Sequence, residues 1–204
     1  MFFDIGANIG NWSLSNLNNS SKIVAIEAVP KTFYKLTNNT SNCSKITCLN
    51  FAVCNSDKEY IEFYECEAAD TISTLNKDWL GSENSRFYNY KYNTIECKTI
   101  SIDKLIEIYG VPDLIKVDVE GGEFDCISSL TKKVNDLCFE WASETNYITI
   151  KCLDYLSALG YNEFSLQLED DYLYRPTFYT DINSIKDLLD KTTPKKEWGM
   201  IWAK

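Results

Sequence analysis

An apolar start, Phe2-Phe3, runs directly into Asp4-Ile5-Gly6-Ala7-Asn8-Ile9-Gly10-Asn11 and then into a helical pattern through Trp12, Leu14 and Leu17. A strand, a glycine turn and a helix in that order open a nucleotide-binding sheet. Gly6 permits a tight turn and lets a ligand touch the backbone. Gly10 is expected to let the helix pack close to the sheet. Glu27 closes the next apolar run, Ile23–Ile26, about 20 residues on, where an acid takes ribose hydroxyls in such folds. A dinucleotide needs Gly-x-Gly-x-x-Gly, because a pyrophosphate lies against the loop and the helix N-terminus. Position 8 is Asn8, so the middle glycine is missing. Asp4 adds a negative charge that suits an ammonium group and opposes a pyrophosphate. S-adenosylmethionine (SAM) therefore fits better than NAD. Gly6 and Gly10 alone would describe any strand–helix turn; Glu27 in register is what points to a cofactor.

Further apolar runs at Ile46–Val53, Leu114–Val119, Leu137–Trp141 and Trp198–Trp202 read as buried strands. They are short and continuous, as in a parallel sheet covered on both faces. Helices are expected from Pro30, from Ser101 as N-cap to Gly110, and over roughly Tyr147 to Leu159. Strands alternating with helices make a doubly wound α/β domain. Residues 1–204 read as one domain with insertions at about 58–100 and 169–197. The first is read as a hairpin with a mobile loop around Gly81-Ser82-Glu83-Asn84-Ser85. The abrupt start at Phe2 suits a domain cut from a longer multidomain protein, with covalently linked neighbours.

Composition removes whole classes of function. Twenty basic residues face thirty acidic ones, for a net charge of -10. A nucleic-acid binder needs Lys and Arg to displace counterions from phosphates, so no nucleic acid is expected as partner. An acidic surface tolerates a neutral glycan or a cationic cofactor. No apolar run approaches the roughly 18–20 residues of a membrane span, and the first residues carry no leader pattern. Eight Cys and no Cys-x-x-Cys pair read as reduced thiols, hence a cytoplasmic location. The absence of His excludes Ser-His and Cys-His pairs and His-ligated metals. Any base is Asp, Glu, Lys or Tyr, and any metal site is oxygen-rich.

In order along the chain stand Phe3-Asp4-Ile5-Gly6-Ala7-Asn8-Ile9-Gly10, Ala25-Ile26-Glu27-Ala28-Val29-Pro30, Asn50-Phe51-Ala52-Val53, Thr71-Ile72-Ser73-Thr74-Leu75 and Thr99-Ile100-Ser101-Ile102-Asp103-Lys104-Leu105. Asp113-Leu114-Ile115-Lys116-Val117-Asp118-Val119-Glu120-Gly121-Gly122-Glu123 and Cys138-Phe139-Glu140 follow. This ordered set resembles the FkbM-type SAM-dependent methyltransferases, from Phe2 to about Glu144. The resemblance implies a Rossmann-like class I sheet of seven strands in the order 3-2-1-4-5-7-6, the last antiparallel, with helices on both faces. It implies methyl transfer to a hydroxyl, often of a sugar or a polyketide. Carried onto this chain, Asp4, Gly6, Asn8 and Gly10 would line the methionine half of SAM. Glu27 would hold the ribose, and Ala28, Ala52 and Val53 would lie near the adenine. Ala28 stands where the family often has Pro, and the helix often found before the first strand is absent from this sequence. Size and composition also resemble the methyltransferase domains of chlorovirus multidomain glycan-synthesis proteins, which implies a terminal deoxyhexose such as rhamnose as acceptor.

Asp118 and Glu140 are expected beyond the carboxyl ends of adjacent strands, where open α/β sheets bind ligands. A sugar hydroxyl is a poor nucleophile until its proton is taken, so Asp118 or Glu120 is the expected general base. Lys116, two residues before Asp118 and on the same strand face, would neutralise one acid. Alternatively, Asp118 and Glu140 hold Mg2+ or Mn2+, which would orient and acidify a sugar diol. Glu120 and Glu123 also precede a helix, where carboxylates stabilise without chemistry. The two insertions would build the acceptor site, with Trp79, Tyr90, Tyr172 and Arg175 as candidate contacts; such rings serve ordinary packing equally well. Against the enzyme stand a non-catalytic SAM-binding module and an NAD-linked oxidoreductase.

Overall fold

The structure, a computed structural model, describes residues 1–66 and 68–204. Its elements in chain order are β1 (Phe2–Ile5), α1 (Asn11–Ser15), β2 (Ile23–Ile26), α2 (Pro30–Thr40), β3 (Ile46–Leu49), β4 (Ala52–Val53), β5 (Tyr60–Cys66), α3 (Lys77–Gly81) and β6 (Tyr92–Ile100). There follow α4 (Ile102–Tyr109), β7 (Leu114–Val117), α5 (Glu123–Ile127), β8 (Asp136–Ala142), α6 (Asn146–Ala158), β9 (Phe164–Leu168), α7 (Ile182–Leu189) and β10 (Trp198–Ala203). Seven strands form one sheet in the order β3-β2-β1-β7-β8-β10-β9. Only β10 runs against its neighbours. Numbered among themselves, these strands read 3-2-1-4-5-7-6, the expected class I order.

Strand alternation sorts the side chains into two layers. Phe3, Ile5, Val117 and Phe139 face a core shared with Leu105 of α4, Ile127 of α5 and Leu153 of α6. Phe2, Leu114, Cys138 and Trp202 face the opposite layer with Trp12 of α1. Each such buried apolar side chain contributes roughly 1.5–3 kcal/mol, an upper figure because unfolded chains already bury some surface. Helix ends follow their sequence signals. Pro30 is the first residue of α2. The Ser101 hydroxyl accepts the Lys104 N–H at 3.0 Å, and Gly110 ends α4 at φ 94°.

Several expectations are corrected. The run Ile46–Val53 is two strands in two sheets, because Asn50 Nδ2 donates to the carbonyls of Glu27 and Ala28, both at 2.8 Å, and fixes a bend between them. β4 then joins β6 and β5 in a smaller sheet. The hairpin of the first insertion forms as expected, β5 antiparallel to β6. Its tip is no free loop: Gly81 ends α3, and buried Ser85 accepts the Phe87 N–H at 3.0 Å. β9 and α7 lie in stretches read without elements. Gly10 sits against α2 rather than the sheet, since a Cβ there would meet Leu36 at 2.8 Å and Thr40 at 3.1 Å. Among the described residues, no helix is long and apolar enough to cross a membrane.

Candidate active site

A cavity of about 300 Å³ opens beyond the carboxyl ends of β1, β2, β7 and β8. The first turn forms one wall. Gly6 has φ 78°, and a Cβ on it would lie 1.7 Å from the Asp118 carbonyl oxygen. Only glycine lets the two loops touch there. Glu27 lines the next part of the cavity and is 8% exposed. Its carboxylate accepts the Asn8 N–H at 3.0 Å and the Val29 N–H at 2.9 Å, so backbone amides fix its orientation. Ala28, Phe51, Ala52, Val53 and Phe63 give this end an apolar lining.

Two residues expected against the ligand stand behind the wall. Gly10 does not line the cavity, and Asp4 does not either. Asp4 points to the α1 layer and is 0% exposed. It accepts the Ser13 hydroxyl at 2.6 Å. Burial pushes its pKa up, partly offset by Lys116 and Ser13. Register explains the contact with Lys116: Asp4 and Lys116 are cross-strand partners on β1 and β7.

At the other end three carboxylates converge. Asp118, Glu120 and Glu140 place oxygens within 4.8 Å of one another, and all line the cavity. The buried Lys116 ammonium lies 2.9 Å from Asp118 and 3.7 Å from Asp4. Burial disfavours its charge, but Asp118 and Asp4 outweigh that and keep it protonated. Glu120 is raised well above the usual carboxylate range by burial, then by Asp118 and Glu123. Glu140 is raised likewise by burial, then by Glu120 and Asp118. Carboxylates this close share protons or take up a cation. Glu123 is buried and accepts the N–H groups of Val119 at 3.2 Å and Gly121 at 3.1 Å. It clasps the turn that presents Glu120.

The first insertion holds that turn from outside. The Thr74 hydroxyl donates to the Glu120 carbonyl at 2.6 Å, and Asn76 Nδ2 donates to the Gly121 carbonyl at 3.1 Å. Trp79 is 3% exposed, and its Nε1 donates to Glu120 Oε2 at 3.2 Å. It is thus no open face for a sugar, contrary to expectation. Tyr90 is exposed on the outer side of Phe87, which separates it from Trp79. Arg175 is taken up by the Asn16 side chain at 2.7 Å and the Tyr174 carbonyl at 2.6 Å, over the Trp202 ring. Of the four candidate acceptor contacts, Tyr172 alone lines the cavity. Sequence reasoning missed Asp170 and Trp198, which also line it. It missed the bidentate ion pair of Arg86 with buried Glu144 too. None of these lies in a spaced motif.

A family model described as Methyltransferase FkbM domain matches residues 4–162. The chain belongs to the FkbM methyltransferase family. No curated protein matches it. Among solved structures it is similar to the precorrin-6Y C5,15-methyltransferase of Geobacter metallireducens, at 12% identity over 99% of this chain and 79% of that one, TM-score 0.49. The precorrin 8W decarboxylase of Methanobacterium thermoautotrophicum gives 13% identity over 100% and 80%, TM-score 0.48. Aeropyrum pernix fibrillarin, solved with natively bound SAM, gives 9% over 100% and 65%, TM-score 0.49. The fold assignment stands on the strand order of the FkbM domain itself.

SAM is the cofactor of this FkbM methyltransferase, and the residues present fit it. Glu27, aimed by two backbone amides, would hold the ribose hydroxyls. The apolar pocket of Ala28, Ala52 and Val53 would take the adenine. Gly6 and Asn8 would meet the methionine half, and Asp4 and Gly10 would brace that loop from behind. When bound, SAM supplies an electrophilic methyl group on a sulfonium centre.

Proposed function

We propose that the chain methylates a hydroxyl oxygen of a sugar in a glycan, a terminal deoxyhexose such as rhamnose being the favoured acceptor. The observation that carries this reading is the convergence of Asp118, Glu120 and Glu140 within 4.8 Å in the wall of the cofactor cavity. Asp118 or Glu120 would take the proton of a hydroxyl entering there, so that its oxygen could form the new bond to the methyl carbon while the carbon–sulfur bond breaks and S-adenosylhomocysteine leaves as the thioether. Lys116 keeps Asp118 oriented. The same convergence favours a second reading, in which Asp118 and Glu140, joined by Glu120, hold Mg2+ or Mn2+ and acidify the hydroxyl through it. Eight unpaired thiols support a cytoplasmic setting, and the acidic composition supports a neutral acceptor.

The test is mass spectrometry of acceptor panels incubated with methyl-labelled SAM, with and without chelator. The panel holds rhamnosides, other glycosides and polyketide alcohols. Label on a sugar oxygen is expected, with Glu120→Gln slowing turnover by about 10²–10⁴-fold. Label only on nitrogen or carbon would remove the oxygen assignment. Label on a polyketide alone would move the acceptor class. Cofactor binding without turnover of any acceptor would favour a binding module. Loss of turnover with chelator, restored by Mn2+, would choose the metal reading.

A further inference from the structure

The methionine end of SAM carries an ammonium group, and the acid that sequence offers for it, Asp4, is out of reach. Asp4 is fully buried, with one oxygen on Ser13 and the other turned to Lys116. Asp118 is taken by the same lysine at 2.9 Å. A different acid stands free in the cavity wall. β9 ends at Leu168, and Glu169 follows in the left-handed region at φ 58°. Its N–H is tied to the Trp198 carbonyl at 2.9 Å. The chain then turns, and Asp170 lines the cavity.

The loop beyond is fastened to the cofactor side. Asn16, which caps α1, donates to the Tyr172 carbonyl at 3.1 Å. Asp171 accepts the Leu173 N–H at 3.0 Å and leaves the neighbouring aspartate to the cavity. No hydrogen bond or ion pair to the Asp170 carboxylate occurs among the described residues. Its charged neighbours are Lys116, Asp118, Asp4 and Asp171, and it shares the cavity wall with Gly6, Asn8, Lys116 and Asp118. Asp4, Asp118 and Asp170 outnumber the single lysine among them. Burial, opposed by Lys116 and reinforced by Asp118 and Asp4, lifts the Asp170 pKa to about 6.

We propose that Asp170 receives the ammonium group of the cofactor's methionine moiety. The position lies outside the residues 4–162 matched by the family model. The proposal rests on SAM being the cofactor but not on the choice of acceptor, and needs none for its test. Calorimetry at pH 8 would compare S-adenosylhomocysteine, which carries the ammonium, with 5′-methylthioadenosine, which lacks the amino-acid part. Asp170→Asn is expected to weaken the first by roughly 10- to 100-fold, the scale of one lost charge-assisted hydrogen bond. It should leave the second within about twofold. Asp171→Asn, which removes the same charge from the exposed neighbour, should change neither by more than about twofold. Unchanged S-adenosylhomocysteine binding in Asp170→Asn would overturn the proposal. So would equal weakening of both ligands, which would mean that Asp170 only supports the loop. Wild-type protein binding neither ligand would overturn the cofactor fit, and the proposal with it.

Discussion

A methyl group on residue 6 would occupy the space of the Asp118 carbonyl oxygen, 1.7 Å away, on a backbone already at φ 78°. Gly6→Ala is therefore expected to cost about 2–5 kcal/mol, from left-handed strain plus displacement of a packed backbone. Urea unfolding would measure it. Glu123 gives a pH prediction. Burial raises its pKa to about 7, above its unfolded value. Its contribution to stability is thus fully present below about pH 4.5 and is lost as pH rises through about 7. Glu120 and Glu140 are raised in the same direction. The melting temperature should fall between pH 5 and pH 8, and fall less in Glu123→Gln, whose amide oxygen still accepts the turn's N–H groups. An equal fall in both proteins would remove Glu123 as a cause. At this scale Glu27 was legible as a candidate, because it closes the strand that follows the glycine turn at the spacing of a ribose-binding acid. Asp170 was not: what makes it part of the site is a cavity wall built from β1, β7 and β8, distant in the chain.

Between strands, the row Asp4–Lys116 couples β1 to β7 inside the α1 layer. Replacing one member of a buried ion pair leaves the other charge without compensation. Lys116→Met is expected to lose about 3–5 kcal/mol in denaturant titrations, and Asp4→Asn in the same background should recover part of it. Full additivity of the two changes would show the row to be uncoupled. The strands that carry the site were readable because buried parallel strands are short apolar runs between turn signals. β9 was harder, since Phe164-Ser165-Leu166-Gln167-Leu168 alternates and follows a polar turn. The break between β3 and β4 depends on the Asn50 side chain reaching two carbonyls of another loop, and no local pattern encodes that.

Over the whole molecule, 30 acidic residues against 20 basic ones surround a cavity lined by Glu27, Asp118, Glu120, Glu140, Asp170 and one lysine. A cleft lined by one sign of charge concentrates ligands of the opposite sign. SAM carries a net positive charge that its demethylated product lacks. Stopped-flow association should therefore slow with added salt for SAM and change little for S-adenosylhomocysteine. Matching salt slopes would show that the field plays no part in capture. The fold and the identity of the cofactor were legible because their signals are local: a strand, a turn, an acid at the next strand end. The acceptor half was not, because its aromatic residues divide between buried supports such as Trp79 and outer surface such as Tyr90, a division set only by tertiary packing.

Thr74, Asn76 and Trp79 hold the turn of Glu120 and Gly121 by side-chain bonds. The first insertion is thus also the scaffold of Glu120, one of the two acids proposed as base. Exchanging that segment between relatives would carry off the supports of Glu120, whatever it did to acceptor choice. A graft that kept Glu120 in place would have to bring Thr74, Asn76 and Trp79 with it, so the insertion and the turn it holds form one mechanical unit.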